Sequence, residues 1–222
     1  MHCWGDNSKG QLGMGDIDQL GDEEDEMDSL PFVAFGDTIP ASQITGGELH
    51  TCALFGNGGV RCWGNNLYGQ LGQGNSAILG DEPAEMSTVP YVSFSVTMTV
   101  TSVCSGMRHS CAVFSNGGVK CWGFNAMGQL GVGNVDYLGN ESNEMDNLPF
   151  VPFTGTAPAT AVSSTLYHNC ALFSIGDIVC WGWNEFGQIG VGSTHDIGDQ
   201  AGDTLSVVAF SGTATATMVS TG

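Results

Sequence analysis

One block of sequence returns along this chain at a fixed interval, and that recurrence limits the fold more than any other feature. HTCALFGNGGVRCWGNNLYGQLGQG runs from His50 to Gly74, and close copies begin at His109 and His168. Its second half also opens the chain, as HCWGDNSKGQLGMG from His2. Trp4, Trp63, Trp122 and Trp181 stand 59 residues apart at each step. Self-similarity at this period marks a repeat architecture in which each unit is one supersecondary motif. The 222 residues therefore divide into units 3–61, 62–120, 121–179 and an incomplete 180–222, within one domain spanning 1–222.

Within the second unit, His50 to Phe55 reads as a strand, Gly56-Asn57-Gly58-Gly59 as a turn, and Val60 to Trp63 as the returning strand. A three-residue loop with Gly58 in the left-handed region sets Phe55 opposite Gly59 and Cys52 opposite Cys62. A two-residue Asn57-Gly58 turn would instead set Cys52 opposite Trp63. The cysteine spacing favours the first arrangement. The same spacing recurs in Cys111/Cys121 and Cys170/Cys180, so three disulfides are expected, with Cys3 and Cys104 free. Regular pairing of this kind belongs to an oxidising compartment.

After each Cys-Trp-Gly come recurrent glycines, at 64, 69, 72 and 74 in this unit, with Asn66 and Gln70 between them. Such residues turn the backbone and satisfy its freed polar groups. No helix follows, so this is not a dinucleotide-binding glycine loop. Two further runs, Val89 to Phe94 and Val96 to Val103, are strand-like, the second alternating with a period of two. Each unit thus offers about four short strands, which is the content of a propeller blade. The expected fold is an all-β propeller. The chain is expected to be an open, truncated arc of a larger ring, because it enters inside a hairpin and holds only about four repeats.

Acids outnumber Lys and Arg 23 to 4, for a formal charge of −19. A surface of that sign repels phosphate backbones, so nucleic acid is not the expected partner. No apolar run reaches the length of a membrane span. Eighteen of the acids lie in one recurrent loop, at 16–28, 75–87, 134–146 and 193–203. Equivalent strands must deliver these loops to one rim. Asp22, Glu23, Glu26, Asp81, Glu82, Glu85, Glu141, Glu144, Asp199 and Asp203 are therefore the candidate binding residues. A basic protein partner is the first candidate ligand and divalent cations the second. The hairpin tips, at Asn57, Asn116 and Gly176, carry little charge and offer less to recognise.

The His50-x-Cys52-Ala53-Leu54 hairpin, Cys62-Trp63-Gly64 and Asn66-x-x-Gly69-Gln70-Leu71-Gly72-x-Gly74 resemble repeats of the regulator of chromosome condensation family. The likeness covers essentially the whole chain. It implies a β-propeller, usually of about seven blades. The paired cysteines and the loops Leu20 to Pro31 and Leu79 to Pro90 are similar to a cysteine-bearing branch of secreted and surface proteins. The founding member exchanges nucleotide on a small GTPase, and a secreted relative inhibits a β-lactamase through a loop face. None of the founding member's functional residues can be carried onto this sequence.

A catalytic site is not expected. His50, His109 and His168 recur at one position, which is a structural pattern, and the neighbouring cysteines are better used in bridges. Zinc bound by His50, Cys52 and Cys62 would lack a fourth ligand. Asp16 to Leu20 starts like a calcium loop but places Leu20 and Met27 where oxygen ligands are needed. No metal site and no cofactor are assigned. The expected function is a non-catalytic binding or scaffold propeller, extracellular or at the cell surface. A nucleotide-exchange regulator and a cation-binding surface module are the alternatives.

Overall fold

The structure is a computed structural model that describes residues 1–36, 38–154, 157–211 and 215–222. Among the described residues there are three antiparallel sheets of three strands each. The first is β1 (Ala41–Gly46), β2 (His50–Phe55) and β3 (Val60–Gly64). The second is β4 (Val100–Ser105), β5 (His109–Phe114) and β6 (Val119–Gly123). The third is β7 (Ala159–Ser164), β8 (His168–Phe173) and β9 (Ile178–Gly182). Apart from short 3-10 turns, the regular structure described is all strand. The sheets stack as open propeller blades, each beginning 59 residues after the last.

The hairpins follow the bulged register. Gly58 has a φ of 78°, and its N–H bonds the Phe55 carbonyl at 2.8 Å while Phe55 N–H bonds Gly59 at 2.9 Å. Cys52 therefore faces Cys62, as Cys111 faces Cys121 and Cys170 faces Cys180. All three pairs are disulfide-bonded, and Cys3 and Cys104 are free. Each bridge closes a loop of ten residues. By loop-closure entropy, replacing Cys111 and Cys121 together with serine should remove about 2–3 kcal/mol of stability. The fold should survive, and equilibrium urea unfolding with far-UV dichroism checks both points.

The sheets have three strands where the sequence suggested four. The run 89–94 lies beside β3 but holds it through one main-chain bond, Val92 N–H to the Val60 carbonyl at 2.8 Å. The residue two places earlier, on the same side of the strand, is Pro90, which has no N–H to extend the ladder. Pro149 stands the same way before Val151, whose N–H bonds Val119 at 2.8 Å. In the last unit Ser206 occupies the proline's place, and there a bridge pair forms between Val179 and Val207. The run expected over 96–103 also shifts, starting at Val100 after Ser95 turns with a φ of 46°.

Blades are joined at buried tryptophans. Trp63, Trp122 and Trp181 are fully buried. Each donates its indole N–H to a carbonyl of the preceding unit, that of Gln11, Gln70 or Gln129, at 2.9–3.0 Å. Thr51, Ser110 and Asn169 donate to the same three carbonyls. Phe35, Phe94 and Phe153 pack edge-on against these indoles at 5.3–5.4 Å. The inner strands are tied as well, since the Gln43 amide both donates to and accepts from the Val103 backbone, at 2.9 and 3.0 Å.

Candidate interaction face

The turn after each Cys-Trp-Gly is built by its own side chains. Asn66 accepts from Leu71 N–H at 2.9 Å and donates to the Asn75 carbonyl at 2.8 Å, while Gln70 accepts from Tyr68 N–H at 2.9 Å. Asn125 and Gln129 repeat the arrangement. Asn66 and Gln70 are thus structural, as their recurrence implied. The turn seats on the next unit: Gly69, at a φ of 82°, lies against the backbone of Gly139 and Asn140, where a Cβ would collide. Gly128 lies in the same way against Gly198 and Asp199.

With Gly10 lying in the same way against Gly80 and Asp81, the second, third and fourth acidic loops each sit against the turn of the unit before. The loop is anchored where Gly64 N–H bonds the Leu79 carbonyl at 2.7 Å, and it then curls around an inward carboxylate. Glu26 accepts from the N–H groups of Gly21, Asp22 and Glu23 at 2.6–3.2 Å. Glu85 accepts from Gly80 and Glu82, Glu144 from Gly139 and Glu141, and Asp203 from Gly198 and Gln200. The Glu23 and Gly21 N–H groups hold the Glu26 carboxyl below its usual range. Burial opposes the charge on Asp203, but the N–H groups of Gly198 and Gln200 still hold it low. Burial raises its neighbour Asp199. Among the acids named from sequence, Asp22, Glu23, Glu82 and Glu141 point to solvent. Asp81 and Asp199 are half-buried beside the preceding turns.

The sequence reading missed the aromatic side chains that share this edge. Tyr68 and Phe124 lie 4.9 Å apart, and Tyr137 lies 5.4 and 5.0 Å from them. Phe124 continues to Tyr167 at 5.6 Å, Tyr167 to Trp183 at 6.3 Å, and Trp183 to Phe186 at 5.3 Å. Arg108 lies over Tyr68 at 5.4 Å, donates to its hydroxyl at 3.2 Å, and pairs with Glu48 at 3.1 Å. The available signal was variation between repeats. Asp6, Asn65, Phe124 and Trp183 occupy one repeat position, and Lys9, Tyr68, Met127 and Phe186 another.

Comparison with known proteins agrees with this geometry. The regulator of chromosome condensation (RCC1) repeat matches residues 41–70, 100–129 and 159–188, and in a second form 1–54 and 57–113. The chain belongs to the RCC1-repeat family. It is 33% identical to the ultraviolet-B receptor UVR8 of Arabidopsis thaliana over 201 residues, covering 88% of this chain and 40% of that protein. It is 31% identical to the probable E3 ubiquitin-protein ligase HERC4 of Homo sapiens, covering 87% of this chain and 17% of the ligase. It therefore spans less than half the length of these relatives. The fold is similar to that of Prp20p from Saccharomyces cerevisiae, with a TM-score of 0.65 and 19% identity, covering 94% of this chain and 46% of that one. Human WBSCR16 gives a TM-score of 0.64 at 22% identity, covering 82% and 42%.

The histidines of the RCC1-type hairpins are interior. His50 Nε2 lies 3.0 Å from Ser110 Oγ in the next blade, and His109 Nε2 lies 2.8 Å from Asn169 Oδ1. Burial pushes His50 down to about 3, helped by His109, and His109 down to about 4 against its bond to Asn169. Burial also pushes the Cys104 thiol up to about 12. These groups are placed as neutral packing elements. Among the described residues no three His, Cys, Asp or Glu side chains gather as a metal site. No helix there is long and apolar enough to cross a membrane.

Proposed function

We propose that this RCC1-repeat chain is a non-catalytic protein-binding propeller, working outside the cell or at its surface, that presents its acidic edge to a basic partner. The observation carrying this reading is the delivery of Asp22, Glu23, Glu82 and Glu141 to solvent from successive copies of one loop. Like charges on adjacent loops repel, and a basic partner relieves that repulsion. Prp20p, of the same fold, is described with binding properties to Gsp1p and histones, which supports a protein-binding role. The three disulfides support the location. Divalent cations are the alternative ligand for the same acids.

The inward carboxylates decide how the test is built. Glu26 stays in place, because its loss would uncurl the loop. The four acids at 22–25 are replaced as Asp22→Asn, Glu23→Gln, Glu24→Gln and Asp25→Asn. Affinity for a deca-lysine probe should fall severalfold, and its dependence on salt should flatten. Indifference to both the substitutions and salt would place the site elsewhere. A melting temperature raised by calcium only when these acids are intact would favour the cation reading. For the location, protein taken from its source without reductant and denatured should show two reactive thiols, Cys3 and Cys104. Eight would point to a reducing compartment.

A further inference from the structure

We infer that the ring row from Tyr68 to Phe186 is an arginine-reading surface, whose occupant is an extended, arginine-bearing segment of a basic protein. The inference rests on the protein-binding reading above but not on the acids at 22–25.

The row crosses the units. Tyr68 comes from one, Phe124, Tyr137 and Tyr167 from the next, and Trp183 and Phe186 from the one after. Phe186 is 77% exposed, and Tyr137 and the neighbouring Leu67 are also exposed. Rings left partly in water along a path of this kind suit an extended chain better than a compact ligand. Most neighbours meet edge to face, with interplanar angles of 69°, 88°, 85° and 86°. Their faces therefore point in different directions, which suits cations approaching one ring at a time rather than a flat sugar stacking on a platform.

The protein already treats its own cations in this way. Arg61 lies 4.3 Å over Tyr91, Lys120 lies 4.8 Å over Phe150, and Arg108 lies over Tyr68. Three of its four basic residues thus sit on rings. Glu48 pairs with Arg108, and the exposed Asp136 and Glu185 directly precede Tyr137 and Phe186, so carboxylates are interleaved with the row. Rings bordered by acids complement a basic chain. A second copy is a poor fit, because each copy carries a formal charge of −19. Arginine is preferred to lysine because guanidinium is planar, less strongly hydrated, and stacks on aromatic faces.

The test compares fluorescein-labelled hexa-arginine and hexa-lysine by fluorescence polarisation at about 150 mM salt. Hexa-arginine should bind about fivefold or more tightly. The double variant Phe186→Ala, Tyr137→Ala should lower that affinity about tenfold and leave hexa-lysine nearly unchanged. Phe186 is largely exposed and Tyr137 packs only on the rings of the row, so the melting temperature of the variant should fall by no more than about 2–4 °C, with an unchanged far-UV spectrum confirming that the fold is intact. Loss of arginine binding in this variant, with the acids at 22–25 irrelevant, would uphold the ring row and remove the acidic-loop reading. Equal affinity for the two peptides, governed by those acids and not by the rings, would overturn the ring row and leave the acidic edge standing. Absence of any binding would overturn it too. So would a dimer in sedimentation velocity that the double variant dissociates, since the occupant would then be a second copy.

Discussion

Replacing Trp122 by alanine should cost about 3–5 kcal/mol, the usual range for emptying a fully buried aromatic site. Trp122 has no exposed surface, and its neighbours are shaped around it. Gly72 approaches so closely that a Cβ there would lie 2.9 Å from Trp122 Nε1, and Phe94 packs on the ring at 5.3 Å. The indole also donates across the blade boundary to the Gln70 carbonyl at 2.9 Å. Ser110 still bonds that carbonyl in the variant, so the main loss is packing between units. A domain with about 5–15 kcal/mol in hand has little left after such a change. Trp122→Phe retains much of the packing and removes the N–H, so it should cost distinctly less. Urea unfolding of both variants checks the order, and a cost below about 1 kcal/mol for Trp122→Ala would show that the indole is not the joint.

Acidification should destabilise the protein through His50 and His109. Their folded values, about 3 and about 4, lie below the unfolded value of about 6.5. The unfolded chain therefore binds more protons, and stability rises with pH across the interval between these values. The contribution is complete above about pH 6.5 and is lost as pH falls toward the folded values. Each histidine accounts for about 1.4 kcal/mol per pH unit in that window, so together they remove about 5 kcal/mol by about pH 4.5. Many carboxylates also titrate as pH approaches 4.5, so the comparison with a variant isolates the histidine. His50→Gln, whose amide can still meet Ser110, should show about one proton less in the slope of stability against pH between 6 and 4.5. An unchanged slope would mean that His50 titrates normally in the fold.

The hairpin was legible because its geometry is local. Cysteines ten positions apart and one Asn-Gly-Gly turn leave few registers, and Cys52 faces Cys62 in the one that the spacing favoured. The missing fourth strand was legible only in retrospect. Val89 to Phe94 has strand composition, but Pro90 has no N–H to donate to β3, which weakens the pairing beside Val92. Among the acids, composition could not separate Glu23 from Glu26. The difference arises when the loop curls and the Glu26 carboxylate collects the N–H groups of Gly21 to Glu23. The ring row was hidden for another reason. Tyr68, Phe124 and Trp183 fall at positions that vary between repeats, far apart in the chain, and they meet only when the units stack.

The two ends of each blade differ in chemistry, and a partner meets one or the other. The hairpin tips, at 56–59, 115–118 and 174–177, lie at the opposite end of β3, β6 and β9 from Gly64, Gly123 and Gly182. The acids and the rings gather at the glycine end. Hydrogen–deuterium exchange with and without saturating hexa-arginine distinguishes the two ends in one experiment. Protection should fall on 64–70, 123–128, 135–141 and 182–186, with the tips at Asn57, Asn116 and Gly176 exchanging as before. Protection centred on those tips, with the glycine end unchanged, would contradict the account.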